Sequence, residues 1–586
     1  MAKNIKEVYL IFKTHLDIGY TDYANTIMKT YLEKFIPSAI RVGNELKGTD
    51  TPFVWTVGSY MVWEALKHDT DGSVEQAIKD GIITWHGLPF TSHTEVMSKK
   101  LFEYGLSLSQ KLDERFGKKT VGSKMTDVPG HTIGMVPLMC KAGLKFLHIG
   151  VNVATPCPEV PPIFKWRLGD DEIIVMYEKS YGSCSEFDDF AICFAHTNDN
   201  NGPQSKDEII AVYDKLKKQY PDAKIHASTL DDVAERVWEI KNLPILEKEI
   251  GDSWIYGTGS DPKKVAMYRE LLRYIEDKDL TDVDLSDNLL LVPEHTWGMC
   301  LMRYYPEFET WENKDFKKTE GSSMRKYFER SWEEQREYVY GAEKVLGYTC
   351  EKTYSEPDLT GAEAVAIPED KEMPFAISWQ LFDNTDYTRF MHKYTTLTVS
   401  NAFWAIWDFY RYRMPDSHVG GIYNATVTEA YVKGDVEIWR LDFEAEVKER
   451  YSLPHFWVTK EGGKFDFRWF GKDYTKLPEA CWLKFRGFRE DNWKVRKMDN
   501  WVEPKDVLCG ALLMATDGAV SNGDVTIKPI DSHLVAPFGR RLLDYDFPKS
   551  GEDLYFNLFN NVYSTNFPIW YRDDSRFRFE IEKCEK

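Results

Sequence analysis

The sequence predicts a multidomain protein that runs from α/β through α to β: an N-terminal (β/α) barrel-like domain with a parallel sheet, a small helical bundle, and a C-terminal antiparallel β-sandwich. Three observations predict it. Strand-length apolar runs alternate with amphipathic helices over residues 1–255; the pattern turns helical over 256–351; and over 352–586 short runs of alternating polarity are separated by Gly, Asp, Asn and Pro clusters. A chain of 586 residues also exceeds what one hydrophobic core can serve.

In the first part, "EVYLIFKTH", "TPFVWTVGS", "GIITWHG", "KFLHIGVN" and "EIIVMYEKS" read as strands, and "ANTIMKTYLEKFIPSAIRVGNEL" and "SKKLFEYGLSLSQKLDERFG" carry helical spacing. Strands alternating with helices predict parallel pairing with helical crossovers, in a sheet that is open or closed into a barrel. Ligands of such sheets bind beyond the carboxyl ends of the strands. In the middle part, "SDPKKVAMYRELLRYIED" offers Asp261 as an N-cap with Pro262 in the first turn, and "SSMRKYFERSWEEQREYVYGAEKVLGY" keeps one apolar face for several turns. In the last part, "EAYVKGDVEIWRLDFEAEV" and "CWLKFRGF" read as sandwich strands, and "FNLFNNVYSTNFPIWY" reads either as a final sandwich strand with its turn, the slightly favoured reading, or as a segment reaching back over the pocket.

Composition narrows the partners. A net charge of -20 argues against nucleic acid and against an anionic membrane surface, both of which need clustered Lys and Arg. No apolar run reaches the length of a membrane span, and "MAKNIKEVYLIFK" does not read as a secretion signal, so a cytoplasmic location is expected. Nine scattered cysteines without a CxxC pair read as reduced, mostly buried thiols. The aromatic load, 19 Trp, 32 Tyr and 33 Phe, leans slightly toward flat-faced ligands such as sugars over plain core packing.

Four stretches place polar groups where chemistry is expected. In "VYLIFKTHLDIGYTDY" a strand ends in His15, Leu16 and Asp17; residues i and i+2 share a face, so His15 and Asp17 project together. In "KMTDVPGHTIGMVPLMCKAG" Asp127 follows a strand end, either as an N-cap or as a functional carboxylate, and Gly130 and His131 open a turn. "LLLVPEHTWGMC" sets His295 after an apolar run; taken singly, such a histidine is more often a core or surface residue than a ligand. "EKEIGDSWIYGTGSDP" supplies Glu249, Asp252 and Asp261 around a glycine-rich turn.

Taken jointly and in order, "THLD", "WTVGSYMVWEAL", "WHGLPFTSHTE", "TDVPGHTIGMVP", "EIGDSWIYGTGSDPKKVAMYREL" and "EHTWG" resemble the active-site blocks of glycoside hydrolase family 38, the α-mannosidase family, over roughly the first 350 residues. The resemblance implies an α/β barrel, a helical bundle and β-sandwich domains. It implies one Zn2+ per active site, or another divalent metal, with His15, Asp17, Asp127 and His295 as ligands, a set of two imidazoles and two carboxylates that suits zinc. It makes Asp127 the nucleophile of a retaining hydrolysis, which needs a second carboxyl group about 5 Å away as acid and then base. The "IYGT" block brings Asp252 or Glu249 to that role; Asp252 is preferred, because an apolar neighbour, Trp254, favours a raised pKa. Trp55, Trp85 and Trp254 become candidate substrate contacts, although core packing explains the first two equally well. His93 and Glu95 stand where the family contacts its sugar, and His131 either orients Asp127 or closes its turn.

The chain departs from the family where Thr296, not aspartate, follows His295, and where "FTSHTE" replaces a more acidic block, so the resemblance leaves the sugar open. The expected partner is an oligosaccharide or glycoside, with neither nucleic acid nor membrane, and homo-oligomers are compatible with the sequence. Two other readings stand beside it. A metal-dependent carbohydrate deacetylase would need no leaving-group acid, and a catalytically inactive relative would bind sugar without turnover.

Overall fold

The computed structural model describes residues 4–281, 285–300, 310–411, 414–415, 420–446, 453–489, 491–510, 512–542 and 553–584. They belong to two compact units, one built from residues 1–94, 99–248 and 294–296, the other from 95–98, 249–293 and 297–586.

The first unit is α/β. Its strands are β1 (Glu7–His15), β2 (Trp55–Gly58), β3 (Ile83–His86), β4 (Gly122–Asp127), β5 (Phe146–Val151), β6 (Ile163–Leu168), β7 (Asp171–Glu178), β8 (Cys184–Glu186), β9 (Phe190–Asp199), β10 (Lys224–Ala227) and β11 (Ile245–Leu246). One sheet runs β3-β2-β1-β9-β8, with β10 also paired to β1; the other runs β11-β6-β7-β5-β4. β1 pairs in parallel with β2, β9 and β10, and β5 pairs in parallel with β4 and β7. Parallel strands covered on both faces need continuous apolar runs, which is why "YLIF" and "FLHIGV" are not cleanly alternating. Ile11, Phe146, Ile174, Ile192 and Leu230 share one core cluster drawn from both sheets and a covering helix.

Two expectations are corrected here. Among the described residues no barrel is closed by hydrogen bonds: the strands form two separate sheets, and β6 and β8 enter antiparallel to β7 and β9. The expectation of reduced thiols throughout also fails at one place. Cys184 and Cys193 face each other across the β8–β9 pair, with Cα atoms 4.1 Å apart, and are joined as a disulfide; the other seven cysteines are thiols.

The second unit opens with helices and continues in antiparallel sheet. Helix Pro262–Asp277 starts as its sequence predicts: Asp261 Oδ1 accepts from Lys264 N at 3.1 Å, and Pro262 fills the first turn, where its missing N–H costs nothing. Helix Ser323–Leu346 is capped by Ser322 and ends at Gly347, which takes the left-handed conformation. The β-rich remainder forms a ten-stranded and a six-stranded sheet among the described residues, and Tyr555–Asn560, from the Asn- and aromatic-rich stretch, lies in the smaller one. Facing side chains of the two sheets make an aromatic core. Phe375 meets Phe467 edge-on at 5.0 Å between ring centres, and Trp379 meets Trp469 at 5.7 Å. No helix among the described residues is long and apolar enough to cross a membrane.

Candidate metal centre

β1 delivers His15 at its carboxyl end. The pairing of β1 with β9 slips between Lys13 and His15, an irregularity that re-aims the last side chain of the strand. Asn200 then fixes the turn that follows. Its N–H donates to His15 O at 3.1 Å, its Oδ1 accepts from Asp17 N at 3.0 Å, and its Nδ2 donates to Asp17 O at 3.1 Å. Tyr31, in a π-helical turn at Tyr31–Phe35, donates to His15 O at 3.2 Å.

Asp127 ends β4 with φ +84°, a conformation unfavourable for a residue with a Cβ. Asn152 holds it there twice: Asn152 N donates to Asp127 O at 3.1 Å, and Asn152 Nδ2 donates to Asp127 Oδ1 at 3.0 Å. Tyr181 O–H donates to the same Oδ1, and burial together with the Asp127 charge pushes its phenol well up, so it stays a donor. His295 is delivered by the tripeptide Glu294–Thr296 of this unit. Its N–H donates to Thr91 O at 3.2 Å, and Glu294 forms a bridge with Ser92.

The four side chains converge. His15, Asp17, Asp127 and His295 are all buried, and one ligand atom from each lies within 4.8 Å of the others. His15 Nε2 is 3.1 Å from Asp17 Oδ1, 3.2 Å from His295 Nε2 and 3.9 Å from Asp127 Oδ2. His295 Nε2 is 3.0 Å from Asp17 Oδ1 and 3.5 Å from Asp127 Oδ2. His295 Nδ1 meets Glu294 Oε1 at 2.6 Å, and a carboxylate only accepts, so the proton of the neutral ring sits on Nδ1 and Nε2 presents a lone pair. His15 Nδ1 meets Thr126 Oγ1 at 2.8 Å, which allows the same tautomer.

Four acceptor atoms thus point at one place, and without a positive charge they repel. The local electrostatics register this. Burial alone would hold Asp17 protonated, yet His15 and His295 together keep its carboxyl well below the usual range. Burial alone would neutralise His295, yet the Glu294 charge and the hydrogen bonds to Asp127 and Asp17 raise it well above an ordinary histidine. Asp17 Oδ2 is buried with no hydrogen-bond partner. Two imidazole nitrogens, two carboxylate oxygens and an orphaned buried oxygen fit a divalent cation. Glu294 and Thr126 would act as the groups that orient the two imidazoles.

The other sequence candidates lie as follows. Trp55 and Trp85 are 0% and 2% exposed in the core of the first unit, Trp55 stacked on Tyr31 at 6.5 Å and Trp85 donating through Nε1 to Asp113 at 3.0 Å. His93 is buried, and His131 meets Thr94 Oγ1 at 3.4 Å, while Asn152 and Tyr181 are what hold the Asp127 side chain. Glu95, Glu249, Asp252 and Trp254 belong to the second unit. There Lys497 Nζ is 2.6 Å from Glu95 Oε2 and 2.9 Å from Glu249 Oε1. Asp252 N donates to Glu95 Oε1 at 3.1 Å, and Trp254 N donates to Asp252 Oδ1 at 2.7 Å. Sequence reasoning missed Thr126, Asn152, Tyr181, Asn200 and Glu294. Glu294 and Thr126 were findable as polar neighbours of ligands in "PEHT" and "MTDV", whereas nothing local marks Asn152, Tyr181 or Asn200.

Among solved structures, the chain is similar to an α-mannosidase from Enterococcus faecalis V583, with a TM-score of 0.56 and 10% identity, over 99% of this chain and 87% of that one. It is also similar to a protein in glycosyl hydrolase family 38 from Enterococcus faecalis, with a TM-score of 0.53 and 9% identity, over 99% and 86%. The fold is the one those two structures share. In sequence, residues 258–363 match the domain of unknown function DUF5054, and no curated protein matches.

Proposed function

We propose that the protein is a zinc-dependent retaining glycoside hydrolase that removes a terminal sugar, α-mannosidase-like in its chemistry. The observation that carries this reading is the convergence of His15, Asp17, Asp127 and His295 with their lone pairs on one point, on a fold similar to that of a named α-mannosidase. Those four residues would hold the ion, which when bound supplies Lewis acidity and a grip on sugar hydroxyls.

The chain's own groups perform the rest. Asp127 attacks the anomeric carbon, forming a C–O bond as the bond to the leaving oxygen breaks; that oxygen takes a proton from a carboxylic acid, which then takes one from water in the second half. Asn152 and Tyr181 hold the Asp127 carboxylate in one orientation and receive the charge that returns to Oδ1 when the sugar departs. We assign the acid/base role to Asp252 in preference to Glu249, because the Glu249 carboxylate is engaged by Lys497, whose Nζ donates to Glu249 Oε1 at 2.9 Å.

The test is an assay of zinc-replete protein on α- and β-linked aryl glycosides. One substrate is hydrolysed with retention, and Asp127→Asn lowers turnover by roughly 10⁴-fold or more while zinc is still bound. Asp252→Asn loses most on poor leaving groups. Unchanged turnover in Asp127→Asn, or release of acetate with glycosidic bonds intact, would overturn the reading.

A further inference from the structure

The interior of the first unit buries four basic side chains on its strands. Lys13, His86, Lys124 and His148, from β1, β3, β4 and β5, are all buried. Glu178 is the carboxylate among them: it meets His148 Nε2 at 2.8 Å and accepts from Ser183 Oγ at 2.9 Å. Lys13 lies in the field of Glu178 and donates to Tyr181 O. Lys124 has neither kind of support. Among the described residues no hydrogen bond or ion pair reaches its ammonium, although it is only 7% exposed, and its charge and that of Lys13 repel. Burial pushes it down to about 8, so it still carries its proton at neutral pH.

Lys124 lines a cavity of about 20 Å³, enough for one particle of water or halide size. His86 lines it too. His86 Nδ1 accepts from Leu88 N at 3.3 Å, so the neutral ring carries its proton on Nε2 and offers a second donor. No Asp or Glu lines the cavity. Its hydroxyls are engaged elsewhere: Tyr31 with His15 O, Thr14 with Thr197 at 2.8 Å, Thr91 with Thr126 N at 3.1 Å, and Thr126 with His15 Nδ1. A buried cation with no carboxylate beside it and a second N–H donor on the same cavity is the mirror image of the metal centre.

We propose that this cavity binds one small monovalent anion, of the chloride class, between the Lys124 ammonium and the His86 N–H. The proposal does not depend on the glycosidase reading. Thr126 lines the cavity and also bonds His15, so a single hydroxyl links the anion site to a metal ligand.

The test uses the full chain in two ways. Crystals grown in bromide are expected to show one anomalous peak in the cavity, lost in Lys124→Met. In solution, chloride or bromide replacing gluconate at constant ionic strength is expected to raise Tm saturably, by about 2–4 °C at roughly 0.15 M, and not in Lys124→Met. Water alone in the cavity, or a peak in crystals with no saturable rise in Tm, would overturn the proposal. If Lys124→Met fails to fold, the wild-type bromide peak and halide series decide it without the variant.

Discussion

The two buried carboxylate clusters of this protein differ in who supplies the counter-charge. In the second unit Glu95 and Glu249 flank Lys497, and Glu95 takes a further N–H from Ala515 at 3.0 Å, so the chain closes the cluster itself. In the first unit Asp17 and Asp127 face two histidines whose Nε2 atoms approach to 3.2 Å, with no lysine or arginine among the described residues within hydrogen-bond reach. The difference lies in the counter-charge, which the chain supplies in one case and not in the other. A cluster with its own lysine is neutralised from within, whereas one without fits a cation that the chain does not provide.

The largest expected effect tests the closed cluster. Lys497→Met leaves two buried carboxylates facing each other and is expected to lower unfolding free energy by about 3–5 kcal/mol at pH 7, with or without zinc. Part of the loss returns on mild acidification, because burial and the charges of Glu249 and Asp252 already raise Glu95. By contrast, Asp17→Asn removes a carboxylate that two histidines hold below its usual range, so it is expected to cost the metal-free protein some stability, but less than Lys497→Met does, while metal binding is lost. Denaturant melts of both variants, metal-free and metal-loaded, check this; a metal-free Asp17→Asn as destabilised as Lys497→Met would erase the distinction.

The second effect is a pH dependence in the first unit. Burial, only partly opposed by Glu178, lowers His148 to about 4. Between that value and the ordinary histidine value of about 6.5, the unfolded chain binds the proton and the folded one does not, so stability falls as pH drops through this window, by up to about 3 kcal/mol. His148→Gln is expected to flatten the slope by close to one proton, read from melts at pH 7 and pH 4.5. The smallest effect sharpens the open cluster. Glu294→Gln removes the acceptor that orients His295 and is expected to weaken zinc 10–100-fold, measured by chelator competition.

Much of this was legible in sequence because it is written in short periods. The i, i+2 spacing of His15 and Asp17, the strand-end position of Asp127 and the Asp261–Pro262 start of a helix are local signals, and the structure carries each of them. The convergence of His15, Asp127 and His295 is not local, and only the ordered resemblance of the blocks pointed to it. What escaped is what tertiary contact alone decides. Asn152, Tyr181 and Asn200 sit in loops with no motif, 25, 54 and 183 residues from the aspartates they hold. The aromatic content leaned toward sugar faces in composition, yet Trp55, Trp166, Trp379, Trp469 and Trp482 are among the largest fully buried side chains, because composition does not say which way a ring turns. The parallel order of strands was readable, but closure was not, since it depends on which edges meet.

The tripeptide Glu294–Thr296 has a consequence for biosynthesis. His15 and His295 are 280 residues apart in the chain. At about 5–20 residues per second, the last donor leaves the ribosome roughly 15–60 s after the first. A nascent first unit therefore emerges with three donors and no fourth, and loop-closure entropy over such a span must be met by packing already in place. An ion bound by these four residues would act as a late clamp on a finished architecture, not as the seed from which it grows.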